Sequence, residues 1–331
     1  MKTILVTGAL GQIGSELVTR LRSLYGDNHV VGTDIRADAN SPVACGGPFE
    51  TLDVTDGARF LELATKYHVD AVIHLAAVLS AVAETKPQFA WHLNMMGLVN
   101  GLETARQLQC QLFTPSSIAA FGPSTPKDGT PQDTIQRPNT IYGVTKVAGE
   151  LLCDYYHERF GVDTRGVRFP GLISYVTPPG GGTTDYAVEI YYHAVQHRKY
   201  TCYIAAGTKM DMMYMPDALD AIVQLMEADS SKLVHRNAFN VTAMSFAPED
   251  VAAAIQARMP EFVMTYDVDP IRQKIAESWP NSIDPSCAFE EWGFRPSYDL
   301  ESMTRDMLDK LIRRQGNSPA DAMHVSSTPR G

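Results

Sequence analysis

Thr3-Ile4-Leu5-Val6-Thr7-Gly8-Ala9-Leu10-Gly11-Gln12-Ile13-Gly14 is the stretch whose reading decides the fold. Its apolar run reads as a buried strand, and a helical pattern follows over about 12–25. Between them Gly8, Gly11 and Gly14 are spaced G-x-x-G-x-x-G. Glycines there let the chain turn tightly and let a pyrophosphate approach the helix N-terminus, where backbone N–H groups and the helix dipole favour an anion. A second strand over 29–32 leads to Asp34, twenty residues after Gly14. A carboxylate in that place accepts hydrogen bonds from an adenosine ribose and repels a 2′-phosphate, which favours NAD over NADP; Arg36 is the one nearby cation that argues the other way. A lone glycine triplet is a weak signal, but strand, triplet, helix and acid in this order make a strong one.

Further strands are expected at 71–75, 111–115 and 164–169, with helices near 58–67, 91–107 and 142–160. Strands alternating with helices build a parallel sheet. The fold class expected is therefore α/β, a Rossmann-type doubly wound parallel sheet with a smaller, mixed α/β C-terminal substrate domain. The division expected is 1–170 plus about 211–243 for the dinucleotide domain, and about 171–210 and 244–315 for the second. In the second part, 178–185 reads as a Gly/Pro-rich loop, 186–197 as a helix, and 212–215 as a strand that returns to the sheet before a helix over 217–227. A terminal amphipathic helix is expected over 301–314, and residues 316–331 carry no helical period and read as a disordered tail.

With 331 residues, 44% hydrophobic and 20% charged, the composition is that of an ordinary globular protein. The net charge of −10 and the absence of a Lys/Arg-rich track argue against a nucleic-acid partner. The most apolar stretch, 71–83, is too short for a bilayer, and the chain opens on a strand where a leader would lie. A soluble intracellular protein of the cytoplasm or mitochondrial matrix is expected. Five scattered cysteines, without C-x-x-C or metal-ligand spacing, read as reduced thiols.

Chemistry enters with Tyr142-Gly-Val-Thr-Lys146 and Ser117, twenty-five positions upstream of the tyrosine. Residues four apart share a helix face. A lysine ammonium there stabilises a phenolate, which in water forms only near pH 10, and makes a proton acceptor for a substrate hydroxyl. Small or apolar residues that would line such a cofactor are Ile13, Ile35, Val54, Leu75, Ala76 and Ala77, with Gln12 beside the pyrophosphate and Asp53 placed for the adenine amino group.

Those residues together resemble the extended short-chain dehydrogenase/reductases, the NAD-dependent epimerase/dehydratase superfamily, from Met1 to about Leu311. The resemblance is closest to the short-chain L-threonine 3-dehydrogenase group. It rests on Ser116-Ser117-Ile-Ala-Ala-Phe-Gly122, Gln136-Arg-Pro-Asn-Thr-Ile-Tyr142, Arg168-Phe-Pro-Gly-Leu-Ile-Ser174, Gly180-Gly-Gly-Thr-Thr-Asp-Tyr186 and Met215-Pro-Asp217. It implies NAD as cofactor, Tyr142 as base, Lys146 as its partner and a contact to the nicotinamide ribose, Ser117 on the reacting oxygen, and Asn94 ordering a proton-relay water. Ser117 stands where many members carry threonine, and keeps the hydroxyl. The reaction implied is oxidation of the threonine 3-hydroxyl to 2-amino-3-ketobutyrate, with no metal because a side chain accepts the proton. Phe169 and Pro170 would sit by the cofactor, and a homodimer through the Tyr142 helix is implied.

From Gly171 to His197 there is no Lys or Arg to hold a nucleotide-sugar diphosphate. Thr183, Thr184 and Asp185 stand there instead, suited to the carboxylate and ammonium of an amino acid, with Ser80 and Ser116 as further candidates for the pocket wall. A glycine run such as 180–182 is more often a simple loop than a hinge, but in this position a closing lid that excludes water would suit hydride chemistry. His74, the methionines 210, 212, 213 and 215, and the pieces Trp279-Pro280, Asp284 and Trp292-Gly293 are read as packing without chemistry. An NDP-sugar epimerase, a dehydratase and a non-catalytic dinucleotide sensor are the competing readings; Ile118-Ala119 stands where dehydratases place Asp-Glu.

Overall fold

Ile4–Thr7 (β1) is fully buried and lies in the middle of the sheet, as a β-branched run covered on both faces should. The computed structural model describes residues 3–177 and 182–316. The remaining strands, in chain order, are β2 (Val30–Asp34), β3 (Phe49–Thr51), β4 (Ala71–His74), β5 (Gln111–Phe113), β6 (Ser116–Ser117), β7 (Thr164–Arg165), β8 (Val167–Phe169), β9 (Gly171–Ile173), β10 (Lys199–Cys202), β11 (Met210–Tyr214), β12 (Phe239–Asn240), β13 (Met244–Phe246) and β14 (Val263–Tyr266).

The central sheet runs β3-β2-β1-β4-β5-β7, all pairs parallel. Chain order reverses between β1 and β4, and that switch point is where open α/β sheets bind ligands. Side chains alternate between faces. Leu5, Val31, Val72 and Leu112 pack on Phe60, Leu63, Leu98 and Leu102, while Ile4, Val6, Val30 and Ile73 pack on Leu17, Val18, Leu21 and Ile222. Sheet order continues through β6-β8-β12, because β5 and β6 are one strand interrupted at Thr114-Pro115. Proline has no N–H for the ladder, and opposite it Gly166 leaves no room for a side chain: a Cβ there would lie 2.5 Å from the Thr114 carbonyl oxygen.

The second region departs from expectation at one strand. Met210–Tyr214 does not rejoin the central sheet. It pairs parallel with β9 and antiparallel with β13. The return is made by Phe239–Asn240 beside Val167–Arg168. That edge is taken because Asn240 is held there: its N–H donates to Gln132 Oε1 at 2.8 Å and its side-chain amide to the Thr130 carbonyl at 3.1 Å. The four methionines alternate as packing predicts, Met210 and Met212 into the core of the second region and Met213 and Met215 against the sheet. The helix over Tyr186–His197 forms as read, and the terminal helix spans Leu300–Gly316. Segment 178–181, with most of the expected hinge, and the expected tail from 317 onward lie outside the described residues. Among the described residues no helix is long and apolar enough to cross a membrane.

Candidate active site

The glycine turn is tight for identifiable reasons. Gly8 has φ +66°, and a Cβ on it would lie 2.9 Å from Ala76 N; a Cβ on Gly14 would lie 2.2 Å from the Gly8 carbonyl oxygen. Strand, turn and helix are therefore packed backbone on backbone, leaving the helix N-terminus at Gly11 without a side-chain cap. Gln12 reaches the cleft here, and its buried Nε2 has no partner among the described residues, a donor suited to an anionic or amide group. Asp34 is 7% exposed; its Oδ2 accepts the Leu10 N–H at 3.0 Å and its Oδ1 faces Arg36 Nε at 3.2 Å. Gly8, Gly11, Asp34, Ile35, Asp53, Val54, Leu75, Ala76 and Ala77 line one groove, joined by Arg36, Leu52 and Leu93. A pyrophosphate cradle, a ribose acid and an apolar slot in sequence fit the adenosine half of NAD. Asp53 is partly committed, since its Oδ1 accepts from the Thr55 N–H at 2.9 Å and hydroxyl at 2.7 Å.

The groove continues past Leu75 and Ala77 into a cleft of about 840 Å³, mouth included. Gln12, Ile13, Ser80, Ser116, Ser117, Tyr142, Lys146, Phe169, Pro170, Thr183, Thr184 and Asp185 all line it. Tyr142 and Ser117 come together because glycine permits it. Gly143 lies against the turn that follows Ser117, where a Cβ would come within 2.2 Å of the Ala119 carbonyl oxygen, and Thr140 caps the Ile141–Phe160 helix by accepting the Gly143 N–H at 3.1 Å. Ser117 Oγ accepts the Ala119 N–H at 3.2 Å, which fixes the side chain. Lys146 Nζ lies 5.3 Å from the centre of the Tyr142 ring and donates to the Pro115 carbonyl at 2.7 Å. The strand interruption at Pro115 thus supplies the lysine's anchor.

Three expected residues are engaged differently from their sequence reading. Asn94 does not stand free to order a water: its Oδ1 accepts the Val78 N–H at 2.8 Å, and its amide lies 3.3 Å from both the Val78 carbonyl and Thr145 Oγ1. It ties the loop after β4 to the Ile141–Phe160 helix. Ser116 gives its hydroxyl to Glu150, whose carboxylate is also held by Arg168 at 3.0 and 2.9 Å and by Gln136 at 2.6 Å. Asp185 accepts the Gly182 N–H at 2.6 Å and so closes its own turn as well as facing the cleft. Beside it, Thr183 is 1% exposed, and its buried Oγ1 has no hydrogen-bond partner among the described residues.

His74 packs at the end of β4, as read. Thr7 Oγ1 accepts N–H bonds from Leu75 at 3.2 Å and Ala76 at 3.3 Å, so its own hydrogen points to His74 Nδ1 at 2.9 Å. The imidazole therefore carries its proton on Nε2, and burial, with the Lys146 charge second, pushes its pKa down to about 3. Sequence reasoning missed Trp279, Leu172, Leu79 and Ile118, which complete the cleft wall. Trp279 is not merely core. Its one available signal was an aromatic residue beside a proline outside any helical period.

The NAD dependent epimerase/dehydratase family profile matches residues 4–242. The chain belongs to that family, and NAD is its cofactor. An uncharacterized epimerase/dehydratase of Staphylococcus saprophyticus is 62% identical over 311 residues, 94% of this chain and 97% of the relative. Among solved structures, L-threonine dehydrogenase from Clostridium difficile superposes with TM-score 0.94 at 65% identity, covering 96% of this chain and 99% of that one. L-threonine 3-dehydrogenase from Trypanosoma brucei does so with TM-score 0.92 at 40% identity, covering 96% and 98%.

Proposed function

We propose that this protein is an NAD-dependent oxidoreductase that oxidises the 3-hydroxyl of L-threonine to 2-amino-3-ketobutyrate. The observation that carries the reading is the charge of the cleft. Among the described residues that line it, Lys146 is the only cation, and its ammonium is anchored on Pro115 beside Tyr142. A nucleotide-sugar diphosphate needs basic partners that this wall does not offer. A small zwitterion needs hydroxyl donors and one carboxylate, and Thr183, Thr184 and Asp185 supply those groups. Likeness to the two threonine dehydrogenases supports the same choice.

NAD, when bound, supplies the hydride acceptor. Tyr142 takes the hydroxyl proton, with Lys146 holding the phenolate against repulsion and Ser117 directing the substrate oxygen by a hydrogen bond. Ser80 and Trp279 close the wall around the substrate, and Asp185 meets its ammonium; a variant Asp185→Ala with unaltered KM for threonine would remove that assignment. Asn94 positions the Tyr142 helix. We also propose a homodimer in which Phe89 and Trp91, exposed on the helix Pro87–Leu108, and Leu151 and Tyr155, exposed on the adjoining helix Ile141–Phe160, cover one another.

The test is NADH formation followed by absorbance with L-threonine, L-serine, L-allo-threonine and UDP-glucose, each with NAD and NADP. Threonine with NAD should exceed every other pair by more than about tenfold. Epimerisation of UDP-glucose, read by product analysis because it leaves no net NADH, without threonine oxidation would replace the reading by that of a sugar-nucleotide enzyme.

A further inference from the structure

We propose that His235, Cys287 and Glu291 form a binding site for one zinc-like divalent cation, separate from the catalytic cleft. Their ligand atoms lie within 4.8 Å of one another. Imidazole nitrogen, thiolate sulfur and carboxylate oxygen are the donors that zinc prefers, at about 2.0–2.3 Å from the metal. Tetrahedral ligands at that reach stand about 3.5 Å apart, so modest side-chain rotations contract the trio to bonding geometry. None of the three lines the cleft that holds Tyr142.

The arrangement is held in place by bonds of its own. Cys287 and Glu291 are four apart on the Ser286–Trp292 helix and share a face. Across from them, Glu291 Oε2 accepts the N–H of Val234 at 2.6 Å and of His235 at 3.1 Å, fixing the loop that leads into β12. That same contact brings His235 Nδ1 against Glu291 Oε1. On the far side of the ring, Nε2 lies 3.5 Å from Asp133 Oδ2. A carboxylate behind a ligating histidine orients the ring and raises its basicity. The side chains of His235 and Glu291 are 23% and 11% exposed, so an ion can enter and keep a water as its fourth ligand.

An occupied site would cross-link the Ser286–Trp292 helix to the edge of the central sheet, where Trp292 and Phe239 already pack with ring centres 5.7 Å apart.

The experiment uses the full chain in a Cys45→Ser background, which removes the exposed thiol. After chelation it is titrated with zinc chloride by calorimetry and with cobalt chloride by absorption. We expect one equivalent per chain, a thiolate-to-cobalt charge-transfer band, and a rise in Tm with metal. Cys287→Ser should abolish the band and weaken zinc at least about tenfold, and His235→Gln should weaken it comparably. NAD binding should be unaltered in both variants. Absence of a saturable equivalent, or unchanged affinity and spectrum in Cys287→Ser, would overturn the proposal. Should the serine variant not fold, unchanged zinc affinity in His235→Gln overturns it equally.

Discussion

Tyr142 has the surroundings that the proposed chemistry requires, with Ser117 lining the same cleft and the Lys146 ammonium over its ring. Removing only the phenol oxygen, Tyr142→Phe, should lower kcat by about 10³-fold and leave NAD affinity within about threefold, because the ring still packs. Steady-state rates and NAD titration by fluorescence read the two effects separately. Asp34 would set cofactor choice by a different route. It holds the Leu10 N–H and faces the Arg36 guanidinium, so Asp34→Ala both removes the ribose acceptor and frees a cation for a 2′-phosphate. KM for NAD should rise about tenfold or more while the NADP to NAD preference ratio climbs. The placing of both residues was legible in the sequence, because Tyr142 stands four residues before Lys146 and Asp34 ends the strand that follows the glycine turn. Asn94 could not be read fully: its amide is consumed by Val78 and Thr145, which spacing does not reveal.

At the level of elements, the site depends on a buried ion pair beneath it. Glu150 on the Ile141–Phe160 helix and Arg168 on β8 are 6% and 7% exposed and bind through two N–H···O contacts, with Ser116, Gln136, Gln132 and Asn240 satisfying the rest. The cluster joins β6, β8 and β12 to the helix that carries Tyr142 and Lys146. Glu150→Gln leaves Arg168 uncompensated and should cost about 3 kcal/mol of stability in urea unfolding. The strands and helices themselves were legible, since apolar runs and Gly/Pro breaks are local signals. What a strand pairs with was not. Met210–Tyr214 chose β9 over the central sheet because Phe239–Asn240, pinned by Gln132 and Thr130, already fills that edge.

Across the whole molecule, Asp211 couples the second region to pH. It is 1% exposed on β11, accepts the Ile283 N–H at 2.6 Å, and burial raises its pKa to about 7 from an ordinary 3.8. Between those values the unfolded chain releases a proton that the folded chain keeps, so stability from this group is lost as pH rises to about 7 and then levels off. Asp211→Asn keeps an oxygen acceptor without the charge. Its stability relative to the parent should therefore grow by on the order of 3 kcal/mol between pH 4.5 and 8, read by denaturant unfolding at each pH. The doubly wound sheet, the glycine turn of the NAD cradle and the placing of Tyr142 four residues before Lys146 were legible in the chain, because hydrophobic period, glycine placement and helical spacing act over a few residues. That Trp279 walls the cleft, that Ser116 donates to Glu150 and that His235 meets Cys287 and Glu291 emerged only on folding. Those contacts join residues far apart in the chain, and they exist only where packing of the two regions brings the side chains into reach.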